Sequence, residues 1–210
     1  MAKVELIGAP QSTYTRAARM ALEEKGVPYD LKPAAPHTPE VDAIHPFGKI
    51  PVMRHGDFEL CESMAIAAYA DRAFSGPKLI PDDPRAAAET IKWLSIVNTM
   101  IDPVWIRSYL FAYLFPETAD GKPDRGVIDK AAGTMREQAA ILDRALAKGG
   151  FSGNGFSFAD INLMPILFYV QKFPEGAAIV AGAPNLKAFF DRNATRPSFV
   201  NTDPPPPPKQ

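Results

Sequence analysis

The chain has 210 residues and 46% hydrophobic content, enough for one large core or two small domains without covalent staples. Its one cysteine, Cys61, excludes an internal disulfide and a CxxC redox or zinc set, so no metal is expected and a reducing compartment is the natural setting. The net charge of -1, with Lys and Arg scattered rather than gathered into a stripe, argues against a nucleic-acid partner. No apolar run is long enough to span a bilayer and no apolar signal segment precedes the first strand, giving the expectation of a cytoplasmic protein without membrane association.

Residues 3–7 read as a strand, and Gly8-Ala9-Pro10-Gln11 turns the chain. Ser12 or Thr13 then caps a helix whose Ala17, Ala18, Ala21 and Leu22 recur at three to four residues until Gly26 and Pro28 stop it. Residues 29–32 supply a second strand, and residues 33–45 a long loop with one short helix around 39–44. Residues 51–55 and 58–61 form a hairpin about Gly56-Asp57. Glu62-Ser63 opens an alanine-rich helix that Ser75-Gly76-Pro77 closes.

This order describes a small mixed sheet with helices packed on it, a domain over residues 1–77. A stiff polar linker at 78–84 carries Pro81-Asp82-Asp83-Pro84 and leads to an all-helical domain over 85–200. Its helical periodicity falls at 85–115, 124–148, 158–172 and 186–192. The tail, 203–210, contains five consecutive prolines, favours an extended polyproline conformation and is expected to be disordered.

Three places can carry chemistry. Ser12, Thr13 and Thr15 put hydroxyls where a strand gives way to a helix, whose unpaired N–H groups and dipole favour an anion; a plain helix cap is the alternative. Arg16 beside them is equally readable as a surface or interdomain residue. In His45-Pro46-Phe47-Gly48-Lys49-Ile50-Pro51, a loop enters a strand through a proline, which turns the preceding backbone outward to pair with an extended peptide. Lys49 just ahead of it can meet a carboxylate. At Glu62-Ser63 a helix start can hold a carboxylate while Glu62 pairs with an ammonium, and one amino-acid head carries both groups.

Together these segments resemble the glutathione transferase superfamily over residues 1 to about 200, and the Gly8 to Arg16 segment is most similar to a serine-type, phi-like bacterial member. The resemblance implies a thioredoxin-like N-terminal domain (α/β) followed by an all-α helical bundle bordering the electrophile site. Ser12 falls at the position of the thiol-activating serine, with Thr13 as the neighbouring choice. His45 to Pro51 resembles the family's asparagine-proline-x-glycine-x-x-proline segment, with histidine replacing asparagine; the main chain of Ile50 would pair with the cysteinyl part of glutathione beside a cis Pro51. Glu62-Ser63-x-Ala65-Ile66 resembles the motif that grips the γ-glutamyl end, and Lys49 and His37 resemble residues approaching the glycyl carboxylate.

Ser157-Phe158-Ala159-Asp160-Ile161 resembles the helical domain's folding motif, a capping box with a staple between Phe156 and Ile161. Trp105, Tyr109 and Tyr113 lie on a helix that borders the electrophile pocket in the family; packing core is their other reading. Cys61, at the end of an apolar strand, reads as a buried structural thiol. The implied function is a homodimeric enzyme with glutathione as cosubstrate, no other cofactor, and a small hydrophobic electrophile as second substrate. The alternative is a non-catalytic glutathione-binding or protein-interaction module of the same fold.

Overall fold

A computed structural model describes residues 3–152 and 155–206; residues 207–210 of the proline-rich tail lie outside the described residues. The chain divides into two units, the first running to Ile80 and including the segment from Thr195 onward, the second covering Pro81–Ala194.

The first unit holds a four-stranded sheet of β1 (Val4–Ile7), β2 (Tyr29–Lys32), β3 (Val52–His55) and β4 (Phe58–Cys61) in the order β2-β1-β3-β4. β1 runs parallel to β2 and antiparallel to β3, and β3 pairs antiparallel with β4. Because successive side chains alternate across a strand, Val4, Leu6 and Met53 face one way and Ile7 and Val52 the other. Ala18 and Leu22 of α1 (Thr13–Glu24) and Ile66 and Ala70 of α3 (Ser63–Ala73) join the first set in one core. Val41 of the short α2 (Pro39–Asp42) covers the second. The hairpin turns through Gly56, whose φ of 65° suits glycine.

A buried ion pair ties α1 to α3. Lys25 Nζ lies 3.1 Å from Asp71 Oδ1, and also donates to the carbonyls of Gly76 and Pro77. The same carboxylate accepts from the N–H groups of Leu79 and Ile80, fixing the chain where it leaves the unit.

The segment from Thr195 groups with the first unit rather than with the helices before it, a difference from the domain limits expected above. Its short helix α10 (Pro197–Val200) is stitched to α1 by charge. Arg196 forms a bidentate pair with Glu24 at 2.9 and 2.8 Å, and Arg19 donates to the carbonyls of Asn201 and Thr202. Arg16 is wholly buried: it donates to the Phe199 carbonyl at 3.0 Å and its guanidinium sits 4.1 Å over the Phe199 ring. Its place is therefore inside the first unit, binding the returning chain. Just beyond, Asp203 lies 3.5 Å from Arg16, and the Pro205 carbonyl accepts from the Gln11 side chain.

The second unit is all helix. α4 (Pro84–Ile96) continues through two stretches of wider, π-type hydrogen bonding, Val97–Ile101 and Pro103–Leu110, into α5 (Phe111–Leu114). Pro103 accounts for the first of these, since it has no N–H to donate and its ring displaces the Thr99 carbonyl four residues back. α6 (Arg125–Ala147), α7 (Phe158–Val170), α8 (Pro174–Ala181) and α9 (Pro184–Asn193) follow. Among the described residues no helix is long and apolar enough to cross a membrane.

At the start of α7, Asp160 Oδ2 accepts from the Ser157 N–H at 2.8 Å and from the Ser157 hydroxyl. Burial pushes the Asp160 carboxyl up from the ordinary aspartate range, and the Ser157 bonds oppose that shift. Asp160→Ala removes these acceptors from a buried helix start. It should lower stability by about 0.5 to 2 kcal/mol, read from the urea midpoint, with turnover per folded molecule retained.

Candidate functional site

The strand register brings the three sequence segments together. Ile7 at the end of β1 pairs with Val52 at the start of β3, and Val52 pairs with Cys61 at the end of β4. The turn into α1, the loop entering β3 and the start of α3 therefore all emerge at one end of the sheet. Lys32, opposite Ile7, leads the loop carrying His37 out at the same end. Two helix N-termini with their unpaired N–H groups, those of α1 and α3, lie there too.

At the first turn the chain passes close to the helix: a Cβ on Gly8 would stand 2.6 Å from Thr15 Oγ1 and 3.3 Å from Ile50 Cβ, so only glycine lets the backbone approach. Ser12 is the helix cap, half-buried, its Oγ accepting from the Thr15 N–H at 3.3 Å. A hydroxyl that accepts one bond still has its own proton to donate, so Ser12 can cap the helix and serve a ligand together. Thr13 is the first helical residue and is buried.

In the second segment the Ile50–Pro51 peptide is cis. Gly48 has φ 60°, and a side chain there would collide with the His37 ring and the Asp42 carboxylate. The His37 N–H donates to the Gly48 carbonyl at 2.9 Å, while its exposed ring lies 3.7 Å from Asp42. Lys49 is exposed, Ile50 half-buried and Pro51 buried.

At the start of α3, Ser63 is 4% exposed and Glu62 has φ 72°, a conformation that costs a residue with a side chain about 1 to 3 kcal/mol and clusters at functional sites. The Glu62 carboxylate makes no cap bond to its own helix. It meets His45, whose Nε2 lies 3.0 Å from Glu62 Oε1. His45 stands where the family segment has asparagine, the one sequence signal that marks this position. Cys61, expected to be buried, is half-buried and packs against the Ile7, Val41 and Val52 cluster.

The three aromatic candidates sit in the helical unit. Trp105 and Tyr109 are 0% exposed; the Trp105 indole donates to Gln138 at 2.8 Å and the Tyr109 hydroxyl to Glu175 at 3.1 Å. Both are core residues here, and neither presents a surface to a cleft. Tyr113 is half-buried, stacks on Phe173 and donates to Glu175 at 2.7 Å. Partial burial pushes the Glu175 carboxyl up, but Tyr113 and Arg125 outweigh it and hold it down at about 2. Burial likewise pushes the Tyr109 phenol up, so both tyrosines are neutral donors at ordinary pH.

Profiles described as Glutathione S-transferase, N-terminal domain, and Glutathione S-transferase, C-terminal domain, match residues 6–78 and 87–197. The chain belongs to the glutathione S-transferase family. It is 32% identical over 222 residues to glutathione S-transferase 3 of Zea mays, across 99% of this chain and 98% of the maize protein. Among solved structures, glutathione transferase F7 from Populus trichocarpa superposes with a TM-score of 0.86 at 27% identity, across 95% of this chain and 97% of that one. Maize glutathione S-transferase I in complex with an atrazine glutathione conjugate gives 0.84 at 26% identity, across 96% of each chain. Further relatives come from potato, wheat, rice and Arabidopsis. These plant relatives overturn the expected placement as a bacterial phi-like member. The thioredoxin-like domain followed by an all-helical one is the fold of this family.

Proposed function

We propose that this glutathione S-transferase family member activates the thiol of glutathione for attack on a small hydrophobic electrophile. The observation that supports the reading is the strand register, which brings the segments carrying Ser12, Ile50-Pro51 and Glu62-Ser63 out at one end of the sheet. Homology over nearly the whole chain to glutathione transferases supports an enzyme, and the conjugate bound by the maize relative supports glutathione as cosubstrate.

Each segment has a role in that chemistry. The Ile50 main chain pairs with the cysteinyl part of glutathione. Glu62 takes the γ-glutamyl ammonium while Ser63 and the α3 N-terminus take its carboxylate. Lys49 and His37 approach the glycyl carboxylate. Ser12 donates a hydrogen bond from its hydroxyl to the thiolate, and the α1 N-terminus adds its dipole. A free thiol of pKa about 8.5 is roughly 3% ionised at pH 7; lowering it by two units makes it about 75% ionised and requires about 2.7 kcal/mol of preferential anion stabilisation. A charge-assisted hydrogen bond of about 1.5 to 3 kcal/mol is of that size.

Conjugation assays with aryl halides, isothiocyanates and hydroperoxides test the reading. Glutathione binding with no turnover against any class would replace it with the non-catalytic binding module. The reducing cytoplasm, where glutathione keeps its thiol, suits the activity. A symmetric homodimer is part of the same reading, since twofold pairs dominate among oligomers. Sedimentation at micromolar concentration should give the dimer; monomer alone would remove that part.

A further inference from the structure

We propose that His45 is a positioning residue for glutathione, holding the Glu62 carboxylate where the γ-glutamyl ammonium of the ligand meets it; this rests on the glutathione-binding reading above. The histidine is set from three sides by its own loop. Its ring is 4% exposed, its N–H donates to the Val41 carbonyl at 2.8 Å, and its carbonyl accepts from Gly48 at 3.0 Å. The Phe47 N–H donates to ring Nδ1 at 3.0 Å. An Nδ1 that accepts carries no proton, so in the neutral ring the proton is on Nε2, and Nε2 donates to Glu62 Oε1 at 3.0 Å. The backbone of the loop thus selects the tautomer that points a donor at the carboxylate.

Glu62 needs such a partner. Its side chain is 67% exposed and makes no cap bond to α3, so its own helix supplies no hydrogen bond that fixes the carboxylate. Freezing a glutamate side chain only when the ligand arrives would weaken binding by the lost rotamer freedom, whereas a carboxylate already held by a buried ring loses little. One carboxylate oxygen is engaged by the histidine, and an acceptor with several lone-pair sites retains capacity for an ammonium. The residue acts through Glu62 and touches no reacting atom.

Two substitutions separate the loop contact from the Glu62 contact. In His45→Asn the amide oxygen reaches the place of Nδ1 and keeps the Phe47 bond but falls short of Glu62; in His45→Gln the amide nitrogen reaches the place of Nε2 and keeps Glu62. By calorimetry on the full chain, His45→Asn should raise the glutathione Kd by about threefold to tenfold, a range reduced from a full charge-assisted bond because Glu62 is exposed. The KM for glutathione should rise equally, with kcat at saturating glutathione moving by less than about twofold. His45→Gln should stay within about twofold of the parent in Kd. In a Glu62→Ala background, His45→Asn should have no further effect on the KM for glutathione.

The proposal is overturned if the glutamine variant weakens binding while the asparagine variant does not, or if His45→Asn costs the same factor with and without Glu62. A parent chain that binds no glutathione would overturn the binding reading and this proposal together, whereas a binding parent with an additive cycle overturns this proposal alone. Ring 15N spectra of the unliganded chain give a further arm that needs no ligand: the Nε2–H tautomer is expected, and an Nδ1–H tautomer would also overturn the assignment.

Discussion

Ser12→Ala is expected to lower the thiol-dependent rate at neutral pH by about tenfold to a hundredfold, the loss of one charge-assisted hydrogen bond of about 1.5 to 3 kcal/mol. Glutathione recognition through Ile50, Glu62 and Ser63 should remain largely intact, because those groups belong to other elements. The same hydroxyl caps α1 by accepting from the Thr15 N–H, so the variant should also lose about 1 kcal/mol of stability. Measuring melts beside rates separates the two losses. Without the donor the bound thiol ionises at higher pH, so the fold deficit is full below the parent's bound-thiol pKa, is already shrinking at neutral pH, and vanishes as the pH rises past the free-thiol value of about 8.5. Thr13→Ala should cost less, since Thr13 is buried as the first helical residue and is not the cap. A normal thiolate titration and normal turnover in Ser12→Ala, with both lost in folded Thr13→Ala, would move the role to Thr13. No change in either variant would leave hydroxyl activation without support.

The sheet was legible because its strands obey simple rules. Val4 and Leu6 alternate with Glu5 and Ile7, Gly56-Asp57 marks the hairpin, and the parallel step from β1 to β2 needs the helix that the Ala17 to Leu22 spacing supplies. Helix starts at proline were less legible. α8 and α10 begin at Pro174 and Pro197 and fall outside the four stretches of helical periodicity; proline at the first helical position forfeits only an N–H that has no partner there.

Burial was hidden for a different reason. Trp105 and Tyr109 carry the polar tips of cleft residues, but those tips are satisfied by Gln138 and Glu175, which lie 33 and 66 residues away in the chain. Spacing along one helix cannot reveal such partners. Arg16 illustrates the same limit, since its partners Phe199 and Asp203 return from the far end of the sequence. His45 sits between these cases: the departure from asparagine was visible, and only the fold showed Glu62 across from it.

Asp71→Ala should be the most damaging substitution for stability, at about 3 to 5 kcal/mol. The side chains of Lys25 and Asp71 are 1% and 4% exposed, so deleting the carboxylate leaves an ammonium buried without its counter-charge. It also strips the N–H groups of Leu79 and Ile80 of their acceptor, at 2.8 and 3.4 Å. Lys25→Met should cost less. It removes the cation, but Asp71 keeps the Leu79 and Ile80 donors, and the methionine fills most of the lysine stem's volume. Exposed pairs such as Lys187 with Asp191 give a scale for comparison; breaking that one should change stability by no more than about 0.5 kcal/mol. Urea unfolding at unchanged m-value measures all three. Equal losses in Asp71→Ala and Lys25→Met would mean that charge pairing alone matters and that the two backbone donors contribute nothing. A loss below about 1 kcal/mol in Asp71→Ala would mean that water reaches the stranded ammonium, and the pair would then not be the fastening between α1, α3 and the exit of the chain.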